Sequence, residues 1–165
     1  MSNVCVNALP TKIIDSLIFH KCTGNIPNLI GTEEVSLSQS SLTIYSETVH
    51  RLSVLYESCY CDKLPNFPNL THLQVTCEYL FNMDCVLEKY PNLEDLYIYC
   101  LDVNFIGALK LFQHKLTISS FELEDITCFS MLQCSELDLS NCPYIQDYSA
   151  VGHIPIVRKS AKTIF

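Results

Sequence analysis

The stretches FPNLTHLQVT (residues 67–76) and YPNLEDLYIY (residues 90–99) decide how this chain is read. Both run Pro-Asn-Leu, two polar residues, then Leu-x-φ, where φ is apolar. Proline pushes the residue before it out of helical conformation and sets an extended approach. The alternation that follows has the period of a strand. It places Leu73 and Val75, or Leu96 and Ile98, on one face and His72, Gln74 and Thr76, or Asp95, Tyr97 and Tyr99, on the other.

Working outward from this pair, the φ-x-φ core recurs in VHRLSVL, HKLTIS, SELDLS and PIVRKS. The cores begin at Leu52, Leu73, Leu96, Leu116, Leu137 and Val157, in steps of 21, 23, 20, 21 and 20 residues. A sustained period of roughly 20–29 residues marks a solenoid, in which each unit buries its apolar face only against its neighbours. A weaker copy, Val35-Ser36-Leu37, precedes Leu52 by 17 residues, and in the last copy Lys159 takes an apolar place. Between strands the spacing turns helical, with Met83, Val86, Leu87 and Tyr90 at i, i+3, i+4 and i+7 and with Phe105, Ile106, Leu109 and Phe112 on one face. Each coil is therefore expected to be a strand with a helical return.

Residues 137–147, LDLSNCPYIQD, place Leu137, Leu139, Cys142, Ile145 and Asp147 on the pattern Leu-x-Leu-x-x-Cys-x-x-Ile-x-Asp. Together with the period, this resembles the leucine-rich-repeat family in its cysteine-containing type. The short irregular repeats look like those of large DNA viruses and protists. The resemblance implies an α/β leucine-rich-repeat solenoid, with parallel strands on the concave face and short helices or loops on the convex face. It also implies that Cys142 turns inward at a bend as a packing residue. Counted by the same offset, the other bend positions are Glu57, Glu78, Leu101 and Phe121, so no continuous cysteine or asparagine ladder is expected.

Three segments follow: residues 1–28 as a helical N-terminal cap, 29–160 as a solenoid of about six to seven coils, and 161–165 as a tail. In the first, Leu9-Pro10 precedes Ile13, Ile14, Leu17 and Ile18. This is similar to the first helix of an F-box, although Gly24 arrives too soon for a complete one. The other reading is an amphipathic helix that covers the end of the apolar stack.

Composition limits the functions open to such a fold. The chain has 165 residues, 48% of them hydrophobic and 17% charged, which argues for a single packed domain and against disorder. No apolar run approaches the roughly 20 residues that cross a bilayer, and no basic signal segment opens the chain, so a cytoplasmic location is expected, or a place in a virion if the source is viral. The net charge of −8 repels nucleic-acid phosphates and anionic membranes. The 10 cysteines, without a signal segment, are expected to be reduced and mostly buried.

Motifs that would carry catalysis or hold a metal do not assemble in the sequence. Cys59-Tyr60-Cys61 lacks the second ligand pair of a zinc site, and His20-Lys21-Cys22 is equally isolated. His50, His72 and His114 each precede a strand core without a nucleophile at a defined spacing. The glycines stand alone, with no phosphate-binding loop. No enzyme activity, cofactor or metal is expected.

What remains is a surface of outward side chains: Arg51 and Ser53; His72, Gln74 and Thr76; Asp95, Tyr97 and Tyr99; Lys115 and Thr117; Glu136 and Asp138. Aromatic side chains near the centre of an interface commonly dominate its energy, which singles out Tyr97 and Tyr99. A solvated polar face has the same pattern, because strands favour tyrosine on their own account. The expected function is a non-catalytic module that binds a protein partner through this stripe. Alternatives are a structural subunit of a larger assembly, such as a viral particle, and an F-box-like ubiquitin-ligase substrate adaptor.

Overall fold

The computed structural model describes residues 4–6, 15–26, 29–81, 83–101 and 104–161. It is an α/β structure dominated by one large parallel sheet with few helices, an arrangement compatible with a solenoid. The strands are β1 (Val4–Val6), β2 (Ser16–His20), β3 (Cys22–Ile26), β4 (Glu34–Ser38), β5 (Ser41–Ile44), β6 (Arg51–Leu55), β7 (Ser58–Tyr60), β8 (His72–Thr76), β9 (Tyr79–Phe81), β10 (Asp95–Tyr99), β11 (Lys115–Ser119), β12 (Glu136–Asn141) and β13 (Ile156–Lys159). The 8-stranded sheet runs β13-β12-β11-β10-β8-β6-β4-β2, while β1-β3-β5 form a second sheet and β7-β9 a third.

Register within the long sheet follows the sequence period. Leu17, Val35, Leu52, Leu73, Leu96, Leu116, Leu137 and Val157 pair successively across it. Leu52, Leu73, Leu96, Leu116 and Leu137 are buried, as are Val54, Val75, Ile98, Ile118 and Leu139 two residues further along. Each such side chain is worth about 1.5–3 kcal/mol on burial. A slip of one residue would turn all of them to the other face, which fixes the register strongly.

The N-terminal segment departs from expectation. Ser16–His20 and Cys22–Ile26 are strands rather than parts of a helical cap, and Leu17 pairs with Val35 as a further member of the apolar row. Leu9, Pro10, Ile13 and Ile14 lie outside the described residues. The apolar run 13–19 satisfies a helical period by coincidence of length, and short apolar runs fit strands equally well. Pairing with β4 decides for the strand. The stack therefore begins before residue 29.

Returns to the long sheet differ between the two halves. After β8 the chain returns through a 3-10 turn at Met83–Cys85 and helix α1 (Val86–Lys89), and after β10 through a 3-10 helix at Asn104–Leu109. Met83, Val86, Tyr90, Ile106, Leu109 and Phe112 are buried on these segments, as their spacing predicts. The first coils return instead through β3 and β5. The reason is length, since Leu17, Val35 and Leu52 are only 18 and 17 residues apart. A helix advances about 1.5 Å per residue and a strand about 3.3 Å, so a shorter circuit must be built from extended chain.

At the exit of the long sheet an inward-turned ladder runs through Cys22, Ser40, Cys77, Cys100, Ser120 and Cys142, all buried. This corrects the bend positions expected at Glu57, Glu78, Leu101 and Phe121; in all four coils the residue one earlier, Tyr56, Cys77, Cys100 or Ser120, stands at the bend, Tyr56 only half-buried. β12 carries a register irregularity at this point, so Cys142 lies three residues beyond Leu139, whereas Cys100 lies two beyond Ile98. Lys21 and Gln39, with φ of 52° and 49°, are the extra residues that give Cys22 and Ser40 the longer spacing. The rungs bond to backbone of the preceding coil: Ser40 Oγ donates to Phe19 O at 3.2 Å, Cys100 Sγ to Glu78 O at 3.3 Å and Cys142 Sγ to Ile118 O at 3.2 Å. Buried carbonyls left over by the bend are satisfied in this way.

A second ladder marks the approach to the strands. Asn69 Nδ2 donates to Glu47 O at 2.8 Å, and Asn92 Nδ2 to Pro68 O at 3.1 Å. The repeated Pro-Asn-Leu thus ties each coil to the one before it. At the far end, Lys159 pairs with Leu139 in register, and its ammonium lies 4.7 Å from the centroid of the Tyr148 ring. Lys159 is exposed at this last strand, so its ammonium stays in contact with water while it meets the aromatic face.

Candidate interaction surface

Arg51, His72, Gln74, Asp95, Tyr97, Tyr99, Lys115, Glu136 and Asp138 all lie on the face of the long sheet opposite the apolar rows. Three lines of side chains cross it. The first is Glu34, Arg51, His72, Asp95, Lys115 and Glu136; the second is Ser36, Ser53, Gln74, Tyr97, Thr117 and Asp138; the third is Ser38, Leu55, Thr76, Tyr99 and Ser119. Thr117 and Ser119 are buried although they point outward, being short side chains on a strand between larger neighbours.

Charges alternate along the first line. Lys115 Nζ lies 3.0 Å from Asp95 Oδ2, and Arg158 Nε donates to Glu136 Oε1 at 2.8 Å. The Lys115–Asp95 pair, partly exposed, adds at most about 1 kcal/mol to stability, and the Arg158 pair is open to solvent and screened by it. Among the described residues Glu34 and Arg51 have no side-chain partner, nor has the Tyr97 hydroxyl. Arg51, Ser53, His72, Gln74, Tyr97 and Lys115 surround a shallow depression of about 250 Å³. Tyr97 and Tyr99 are half-buried at mid-sheet, and the Tyr99 ring meets Phe121 edge-on at 6.2 Å. Leu55 and Phe121, exposed by 50% and 57%, extend an apolar margin on the Tyr99 side. Sequence reading omitted Glu34, Leu55 and Phe121. The alternation around Val35 and Val54 marks the first two, whereas Phe121 lies beyond its strand and joins only through the fold.

His50 and His114 line one depression together with Asn69, Thr71 and Glu94, whereas His72 belongs to the depression on the outward face. His50 Nδ1 is 2.9 Å from Asn69 O, His72 Nδ1 is 2.8 Å from Thr71 Oγ1, and His114 packs against Phe112. The Cys59-Tyr60-Cys61 thiols are buried side by side, with Cys61 Sγ 3.0 Å from Met83 Sδ. The hydrogen bond with Cys59, and burial, push the Cys61 thiol far up; Cys142 is pushed up to about 11 by burial. Nucleophilic and metal chemistry require the thiolate, which these surroundings oppose. Among the described residues no three His, Cys, Asp or Glu side chains are grouped to hold a metal ion, and no helix is long and apolar enough to cross a membrane. Cys22, Cys59, Cys61, Cys77, Cys85, Cys100, Cys128, Cys134 and Cys142 are free thiols.

Comparison of the chain with protein-family models, with curated proteins and with solved structures finds no match.

Proposed function

We propose that this chain is a leucine-rich-repeat solenoid that acts as a non-catalytic interaction module, binding a protein through the outward face of its long sheet. One observation carries the reading: a continuous, in-register face holds half-buried Tyr97 and Tyr99 at its middle, with charged and polar side chains on the Tyr97 side and exposed Leu55 and Phe121 on the Tyr99 side. An aromatic centre is the layout of an interface. The test is affinity capture from the native source with wild-type protein and with a Tyr97→Ala/Tyr99→Ala variant. Wild type retains a partner, and the variant, folded as judged by circular dichroism, loses at least about 2 kcal/mol of its binding energy. Equal capture by both places the partner elsewhere on the molecule.

A further inference from the structure

The first line of the outward face reads Glu34, Arg51, His72, Asp95, Lys115 on β4, β6, β8, β10 and β11. Reversed, it reads Lys, Asp, His, Arg, Glu. A two-fold axis lying along β8 would therefore set Glu34, Arg51, Asp95 and Lys115 of one copy against their opposites in the other, with His72 at the centre and Glu136 on β12 facing Ser16 on β2. We propose that the partner recognised by this face is a second copy of the same chain, joined by that two-fold; the inference rests on the functional reading above and names its partner.

Over the five strands β4 to β11 the other two lines obey the same operation, while at the margin Asp138 on β12 faces the exposed Ile18 on β2. Ser53 of one copy meets Tyr97 of the other, short against long, and Leu55 meets Tyr99, apolar against aromatic. Gln74 and Thr76 meet their own copies on the axis and can bond reciprocally. Glu34 and Arg51, without side-chain partners among the described residues, gain them in Lys115 and Asp95 of the second copy. The Lys115–Asp95 pair, at 3.0 Å within one chain, becomes the middle of a four-charge network. Sheets packed face to face lie about 10 Å apart and cross at about 30°. Long side chains at the outer positions, Glu34 and Lys115, can absorb that angle.

The size of the patch sets the strength. From β2 to β12 the strands span about 29 Å, and each is about 17 Å long, giving roughly 500 Å² in projection. This is the low end for a specific interface, so the dimer is weak, in the micromolar range, and sensitive to salt. An isologous contact counts each pair twice, so reversing one charge raises the dissociation constant by roughly tenfold to hundredfold.

Sedimentation velocity over a concentration series tests this with the full chain, at low salt and at about 0.5 M NaCl. Wild type dimerises at low salt and dissociates at high salt. Arg51→Asp and Asp95→Arg each give monomers, and the doubly swapped Arg51→Asp/Asp95→Arg protein dimerises again. If a single variant melts without cooperativity, Glu34→Lys, Lys115→Glu and their combination replace that series. A wild type monomeric at every concentration, a dimer indifferent to Arg51→Asp, or a double swap that stays monomeric overturns the proposal. A monomeric chain that still captures a foreign protein in a Tyr97-dependent way overturns it and leaves the functional reading standing.

Discussion

Cys142 hands its thiol hydrogen to the carbonyl oxygen of Ile118, one coil back, at 3.2 Å. Ser40 Oγ stands 3.2 Å from the equivalent carbonyl of Phe19 and 3.0 Å from that of Ser38, either of which its one hydrogen can reach, so the rung accepts a hydroxyl where Cys142 has a thiol. Cys142→Ser is therefore expected to change unfolding free energy by less than about 1 kcal/mol. Cys142→Ala, which leaves the Ile118 carbonyl unsatisfied, costs about 1–3 kcal/mol. Urea unfolding of the two variants checks the difference, and equal losses would mean that sulfur volume matters more than the bond.

Strand β10 contains its own control. Leu96 and Ile98 are buried and Tyr97 and Tyr99 point away from the core. Truncating either aliphatic residue to alanine is expected to cost about 2–5 kcal/mol, whereas Tyr97→Ala costs no more than about 1 kcal/mol. Thermal melts ranking Tyr97→Ala with Leu96→Ala would make that ring part of the core.

Alkaline pH should unfold this protein earlier than neutral pH. Burial pushes the Cys134 and Cys142 thiols up to about 11 and the Tyr56 phenol to about 12, and it adds to a thiol hydrogen bond in raising Cys77. An acid whose folded pKa lies above its unfolded value loses no stability until the unfolded chain begins to ionise. The loss then grows up to the folded value. For the thiols the decline starts near pH 9 and reaches on the order of 2 kcal/mol each by pH 11. Lys89, whose ammonium is held below its usual value by burial, works the other way, as one group against several. Stability flat from pH 7 to well above 10 in urea titrations would contradict this.

Gln39 sits at φ 49°, in the left-handed region that side chains other than glycine enter at a cost. Gln39→Gly is expected to leave stability unchanged or raise it by up to about 1 kcal/mol. Calorimetry showing a clear loss would mean that the Gln39 side chain has a role of its own.

β13 closes the long sheet, pairing with β12 and standing last in the strand order. Ile156 is exposed by 50%, and Arg158 and Lys159 are exposed as well. Its amides are expected to exchange hydrogen orders of magnitude faster than those of β10. Protection of β13 equal to that of β10 would point to a strand added along its edge.

The φ-x-φ rows were legible because the fold leaves that alternation no freedom: each row must stack on the last. Two other features were hidden. Leu17-x-Phe19-x-x-Cys22 has the same spacing as Leu137-x-Leu139-x-x-Cys142, but it lies inside a run whose isoleucines mimic a helical face. The bend ladder was missed because one coil with an extra residue, that of Cys142, served as the ruler for coils that lack it. For the candidate surface, strand alternation gave the outward residues. Alternation says nothing of what approaches across a chain's own returns, so the contact between Tyr99 and Phe121 could not be counted from spacing.

The extra residues at the bends, Lys21, Gln39 and the irregularity in β12, mean that repeat length and repeat register are separable in this architecture. A codon gained or lost there is spent on an outward kink, and the next leucine still meets its row. Within a strand the same change would reverse every side chain beyond it. Lineages of such chains can therefore drift in length at the bends while their apolar rows stay aligned, which erodes a fixed sequence period faster than it erodes the stack.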